Sequence, residues 1–301
     1  MKILQPVKIG FIGIGTMGKG MVQNLFKAGF RIYAYNRTKE KLDNIKHENL
    51  VVMNSPREAA DQSDVIITCV SNDAALKDVL FSENGVFKAL NKNKILIDSG
   101  TTSVDLTEKI MQECYAIGVE FIDAPITGGK TGAENGTLMF MVGGKKDIVD
   151  QRMNIFNAMG KRVVYCGASG HGQKAKIALN LAQSLMLQSH LEGIMLGVKN
   201  GVPLEKMLEI FENSGAKSGV GFAKMPSILR RDFSPSFKLE LMNKDVNLAM
   251  QEINKIGLDL PLSKKLLSVF QQAMENGWQE EDFVSIVKLL ERNAGIKFEK
   301  V

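Results

Sequence analysis

The sequence predicts an α/β half built on a doubly wound parallel sheet, then a long linking helix, then an all-helical half. Three observations carry this. Up to about residue 167, short apolar runs alternate with helical stretches of ten or so residues, the pattern of right-handed crossovers in a parallel sheet. From Gln173 to Lys199 the chain has no Pro, and no Gly before Gly193. Beyond that stretch only helical periods recur. The expected division is residues 1–167, 168–200 and 201–301.

In order, residues 7–13 (VKIGFIG) form an apolar run, as a strand covered on both faces should. It breaks at Gly13-Ile14-Gly15-Thr16-Met17-Gly18 into a helix with Met21, Leu25 and Phe26 at helical spacing, stopped by Gly29. RIYAY (31–35), a charged helix over 38–46, a short NLVVM strand and a helix opened by Ser55-Pro56 follow. DVIITCV (64–70), KILID (94–98), VEFIDAP (119–125), TLMFMVGG (137–144) and RVVYCG (162–167) read as further strands of the parallel sheet. A helix from Gln173 to Lys199 would be roughly 40 Å long. Its apolar residues (Ile177, Ala178, Leu181, Ala182, Leu185, Met186, Leu191, Ile194 and Met195) cover most of its circumference, so it should be buried. Helices are expected over 203–213, 236–256, 261–276 and 280–292.

Composition narrows the function. The 301 residues are 45% hydrophobic and 24% charged, which is ordinary for a soluble chain of two domains. A net charge of +5 with no run of five basic residues argues against nucleic acid and for small anions. Cys69, Cys114 and Cys166 show no CxxC spacing and read as reduced thiols in a cytoplasm. His47, His171 and His190 share no metal-ligand spacing, so no metal site is expected. The opening MKILQPVKIGFIG passes straight into a strand with no signal-like stretch, and no uncharged run is long enough for a membrane span.

GxGxxG alone is a weak signal, but here it closes an apolar strand and opens a helix. Gly13 would permit the tight turn, Gly15 the approach of a pyrophosphate and Gly18 close helix–strand packing, the signature of a Rossmann-type dinucleotide site. Such a site for NAD wants an acidic residue about 20 positions on. The second strand instead ends in Tyr35-Asn36-Arg37-Thr38, and a guanidinium beside a hydroxyl suits a 2′-phosphate. NADP is therefore favoured over NAD; the alternative is a solvated Arg37 opening a helix. Val70-Ser71-Asn72 and Asp98-Ser99-Gly100-Thr101-Thr102 end strands that face the same crevice, where their small polar residues serve equally as site groups or helix caps. Asp123-Ala124-Pro125-Ile126-Thr127-Gly128-Gly129 offers a hydroxyl and two glycines, either a cup for a carboxylate or a turn capping the helix before Gly136. Lys176 and Asn180, four apart, share one helix face just after a Gly-rich loop. A lysine there either has a task or snorkels out at the helix end.

These pieces, in this order, resemble the β-hydroxyacid dehydrogenase family. GFIGIGTMGKGMVQNLFKAGF (10–30) resembles its opening fingerprint, FIDAPITGGKTGAENGTLMFMVGG (121–144) its substrate signature and GHGQKAKIALN (170–180) its catalytic signature. FKLELMNKDVNLA (237–249) is similar to its late Lys-Asp motif. The resemblance covers essentially the whole chain. It implies Lys176 as catalytic acid/base and Asn180 as its substrate-holding neighbour, with Thr127, Gly128 and Gly129 gripping a substrate carboxylate. Thr101 and Lys244 would contact the cofactor, and Asp245 and Phe237 would shape the pocket. Two positions depart from the family: Thr127 stands where Ser is usual, and Leu179 where a second Asn is usual.

The implied activity is NADP-dependent interconversion of a small 3-hydroxy or 4-hydroxy acid and its semialdehyde, in the manner of 3-hydroxyisobutyrate dehydrogenase. The alternative is a glyoxylate/succinic semialdehyde reductase. Oxidative decarboxylation of a sugar acid phosphate lacks an extra basic cluster, and the imine-reducing branch replaces the lysine kept here as Lys176. From a different class, a cofactor-binding module without chemistry would be expected to lack Lys176 or Asn180, or to carry further domains. The helical half has apolar positions on more than one face (Leu239, Leu241, Val246, Leu248, Met250 and Ile253; Leu262, Leu266, Leu267 and Phe270), so a homodimer or homotetramer is expected.

Overall fold

A computed structural model describes residues 7–43 and 45–298. The reading of residues 1–6 as a direct approach to the first strand, and position 44 of the expected 38–46 helix, lie outside them. The chain divides into two compact units, residues 1–176 and 177–301.

The first unit runs β1 (Lys8–Ile12), α1 (Thr16–Lys27), β2 (Arg31–Tyr35), α2 (Glu40–Asp43), β3 (Leu50–Val52), α3 (Pro56–Asp61) and β4 (Val65–Thr68). It continues through α4 (Asp73–Phe81), β5 (Ile95–Asp98), α5 (Val104–Ala116) and β6 (Glu120–Asp123). Then come β7 (Ile126–Thr127), α6 (Gly129–Asn135), β8 (Leu138–Gly143), α7 (Lys146–Gln151), α8 (Met153–Met159) and β9 (Gly160–Gly167). The parallel order is β3-β2-β1-β4-β5-β6. Period-two geometry sends Val65, Ile67, Ile95, Ile97 and Ile122 to one face, where Met21, Leu25, Ile155 and Phe156 cover them. Ile66, Leu96 and Phe121 go to the other, under Ala59, Leu76, Leu80 and Ile110. With both faces covered, the strands read as continuous apolar runs rather than alternating ones.

Two expectations are corrected. The sheet is not parallel throughout: β8 runs antiparallel to β6 and β7. The seven-residue α6 between β7 and β8 is short for a crossover, and Ala124-Pro125 has already turned the chain into β7. β9 then pairs parallel to β8. Of the expected 38–46 helix, the described residues keep the four of α2, and Leu42 within it and Ile45 beyond it are both buried in the core.

α9 spans His171–Lys199, 29 residues, and the boundary between the units falls within it. The second unit adds α10 (Leu204–Glu212), α11 (Gly219–Leu229), α12 (Leu239–Lys255), α13 (Pro261–Glu275) and α14 (Val287–Ala294). α9 is less buried than its composition suggests. Ala178, Ala182 and Met186 form an exposed stripe, and Leu196 is 67% exposed. Gly193 and Gly197 do not break the helix. A Cβ would stand 2.8 Å from the Phe211 ring at the first and 2.3 Å from the Met207 sulfur at the second, so both let α10 pack close. Of the residues expected to form a subunit interface, Leu239, Val246, Leu248, Met250, Ile253, Leu266 and Phe270 are buried within the chain's own fold. The exposed large apolar residues among the described residues of this unit are others: Met186, Leu196, Ile210, Ile256, Leu258 and Leu260, with Leu262 alone shared.

Candidate active site

The glycine loop is built as the motif demands. Gly13 has φ +103°, and a Cβ there would lie 2.3 Å from the Cys69 carbonyl oxygen. A Cβ on Gly18 would lie 2.1 Å from the Gly13 oxygen, so only glycine lets α1 start this close to β1. At Gly15 nothing stands within 4 Å of a Cβ position, which leaves a cradle open to a ligand backbone. Gly15 is also the N-cap of α1, without a side-chain cap and with no acid in the first turn, so the helix N–H groups and dipole remain available to phosphate. Thr16 is exposed, and Ile14 and Met17 pack beneath. Beside the loop lies a cavity of about 600 Å³, lined by Gly15, Thr16, Lys19, Lys41, Lys130 and Glu134 among others.

Asn36 ties this loop to the end of β2. Its Oδ1 accepts from Ile14 N–H at 2.8 Å and its Nδ2 donates to the Thr38 carbonyl at 2.7 Å. Arg37 and Thr38 beside it are exposed. The residues present therefore fit a dinucleotide, with no carboxylate at the β2 end to meet a ribose 2′-hydroxyl.

Of the two roles left open by sequence at the other strand ends, the helix-cap role is seen at Asn72. Asn72 caps α4 by accepting from Ala75 N–H at 2.9 Å, and Ser103 caps α5 from Leu106 N–H at 3.2 Å. Val70 and Thr101 are half-buried and Ser71 is exposed. Gly128, with φ +130°, is the N-cap of α6, so that turn does cap the helix before Gly136. Thr127 is half-buried in β7, and Gly128 and Gly129 are exposed.

Lys176 lies six residues into α9 and is only 7% exposed, so the snorkelling alternative does not hold. Four residues on, Asn180 is buried and its Nδ2 donates to Asp245 Oδ2 at 2.6 Å. Asp245 is fully buried, and Lys244 Nζ lies 2.8 Å from its other oxygen. Phe237, half-buried, donates its N–H to Asp282 at 3.1 Å and meets Phe283 edge-on.

Sequence reasoning missed a buried polar network. Asp98 and Asp123 stand opposite one another at the ends of β5 and β6, 1% and 0% exposed. Asp123 accepts Gly170 N–H at 2.6 Å and Gln173 N–H at 2.8 Å, and so caps α9. Burial pushes its carboxyl up to about 6 against those two hydrogen bonds, and the Asp98 charge adds a smaller upward push. All four residues lay inside quoted motifs, but a strand-end acid gives no sign in sequence of which distant N–H it will meet. Among the described residues, no cluster of three or more His, Cys, Asp or Glu is placed to hold a metal ion. No helix among them is long and apolar enough to cross a membrane.

Comparison with known proteins agrees with this arrangement. The family model described as the NAD binding domain of 6-phosphogluconate dehydrogenase matches residues 8–167. That described as NAD-binding of NADP-dependent 3-hydroxyisobutyrate dehydrogenase matches residues 170–290. The chain is 31% identical to 2-(hydroxymethyl)glutarate dehydrogenase of Eubacterium barkeri, over 97% of both chains. It is 30% identical to 2-hydroxy-3-oxopropionate reductase of Escherichia coli K12, over 97% of this chain and 99% of that one. The solved structure of Mycobacterium tuberculosis 3-hydroxyisobutyrate dehydrogenase with L-serine superposes with a TM-score of 0.86 at 26% identity, covering 95% of this chain and 99% of that one. With a glycine loop shaped for a dinucleotide, a buried lysine after the second glycine-rich loop and similarity along its whole length, this chain belongs to the β-hydroxyacid dehydrogenase family of NAD(P)-binding oxidoreductases.

Proposed function

We propose that the protein is an NADP-dependent oxidoreductase that interconverts a small 3-hydroxy or 4-hydroxy carboxylic acid and its semialdehyde. The observation that carries this is Lys176, buried in the first turns of α9 in a unit that also presents the glycine loop. When bound, the nicotinamide supplies or accepts the hydride. The chain's own task is the proton. Lys176 donates it to the substrate oxygen as negative charge develops there, and takes it back in the oxidative direction. Asn180, oriented by Asp245, holds the same oxygen or its neighbour. Thr127 with the N–H groups of Gly128 and Gly129 grips the carboxylate, so that the length from acid to carbonyl sets selectivity. Arg37 and Thr38 hold the 2′-phosphate, a reading supported by their exposure and by Asn36, whose side chain is committed to the loop. Thr101, Lys244 and Phe237 meet the rest of the cofactor. The chain works as a homo-oligomer, supported by the exposed apolar residues of its helical unit. Three unbridged thiols support a reducing compartment, the cytoplasm.

The test is oxidation of NADPH and of NADH by the purified protein against succinic semialdehyde, glyoxylate and tartronate semialdehyde, with NADP reduction by 3-hydroxyisobutyrate alongside. NADPH preferred with one aldehyde turning over supports the reading and names the substrate. Tight cofactor binding with no turnover in either direction would instead favour a binding module.

A further inference from the structure

Gln173 is completely buried, three residues before Lys176 on the same face of α9. Its backbone N–H and both ends of its side-chain amide are engaged. Its backbone N–H is held by Asp123 at 2.8 Å. Its Nε2 donates to the Gly100 carbonyl at 2.8 Å and approaches Asp98 Oδ2 at 3.4 Å, while its Oε1 accepts from Thr102 N–H at 3.4 Å. The amide thus clasps the backbone on both sides of Thr101. Asp98 holds the same loop from beneath, accepting Gly100 N–H at 3.1 Å and the Thr68 hydroxyl at 2.7 Å.

The start of the helix has no slack to give. A Cβ on Gly172 would lie 2.4 Å from the Met141 carbonyl and 2.8 Å from the Asp123 carboxylate, so α9 is seated directly on the strand ends. Placing two carboxylates side by side out of water is costly unless hydrogen-bond donors offset the charge. Here the hydrogen bonds converge on one residue and join two pieces of chain, the helix turn that carries Lys176 and the loop that carries Thr101.

We propose that Gln173 is a positioning residue for the reaction: it fixes the helix turn of Lys176 against the loop of Thr101, and so sets where the lysine delivers its proton. This rests on the reading of Lys176 as the acid/base. A misplacement of about 1 Å at such a group is enough to cost on the order of a hundredfold in rate. Gln173 touches neither substrate nor cofactor in this account; it acts through Lys176.

The experiment is a double-mutant cycle of Gln173→Leu and Lys176→Ala, read as kcat with NADPH and whichever of the three aldehydes turns over fastest, with cofactor dissociation constants alongside. Gln173→Leu should lower kcat at least about tenfold in the otherwise native chain, but less than about twofold when Lys176 is already Ala. Equal losses in both backgrounds overturn the positioning role, because a general structural defect would act the same in each. Near-normal turnover of Gln173→Leu while Lys176→Ala is inactive overturns it too. Near-normal turnover of Lys176→Ala removes the underlying reading instead. If Gln173→Leu does not fold, Gln173→Glu goes through the same cycle, since it keeps an acceptor for Thr102 N–H and loses the donor to Gly100.

Discussion

Burial holds the Asp123 carboxyl up at about 6, above the 3.8 usual for aspartate. Between about pH 4 and about pH 6 the folded chain therefore keeps a proton that the unfolded chain has released. This group's contribution to stability is fullest below about pH 4 and falls as the pH rises through about 6, by roughly 3 kcal/mol in all. The stability of the native protein relative to Asp123→Asn should accordingly rise as the pH is lowered across that window, measured by urea unfolding at several pH values. A pH-independent difference would mean that the carboxyl stays ionised throughout. Arg37 offers a second test at this scale. Loss of a charge-assisted contact costs about 1.5–3 kcal/mol, so Arg37→Ala should weaken NADPH binding at least about tenfold while NADH binding hardly changes. Equal weakening of both cofactors would make Arg37 a surface charge only. The roles of Gly13 and Gly18 were legible in sequence because each rests on the absence of one side chain beside a local turn. The bonds joining Gln173 to Gly100, Thr102 and Asp123 were not, because they link positions about 50 to 73 apart.

At the scale of elements, strands covered on both faces announced themselves as uninterrupted apolar runs, and β1, β2, β4 and β5 lie within the stretches that predict them. What escaped were elements whose residues speak against them. α11 contains Pro226 and begins Gly219-Val220-Gly221, a pattern that argues for a loop; tertiary packing of Met225 and Ile228 makes it a helix all the same. β7 is two residues long, below any periodicity. The antiparallel turn of β8 was hidden too, since an apolar strand reads alike in either direction. Contact between α1 and β1 depends on Gly18. Gly18→Ala forces its methyl against the Gly13 carbonyl and should cost about 1–3 kcal/mol in denaturant unfolding, with a matching loss of cofactor binding. Unchanged stability in that variant would show that the loop can shift to make room.

For the whole molecule, the helical unit leaves several large apolar side chains exposed. Leu262 is 71% exposed, Leu196 67% and Ile256 63%. Most of the apolar positions that read as surplus in sequence lie in the chain's own core; sequence could not separate them, because a helix buried on two faces and one awaiting a partner have the same composition. If the homo-oligomer forms on this surface, Leu262→Glu should lower the mass seen by light scattering while the far-UV spectrum stays native; an unchanged mass would move the interface elsewhere. A further consequence follows from the cap on α9. Asp123, buried at the end of β6, takes its two backbone donors from residues 170 and 173, which lie after the first unit's last strand. The unit is therefore not a cassette that can be cut at its last strand. A fragment ending at residue 167 leaves Asp123 without those donors and should be recovered largely insoluble, whereas one ending near residue 190 carries the donors with it. Any recombination that exchanges the first half of such a chain must take the opening turns of the helix as part of the cargo.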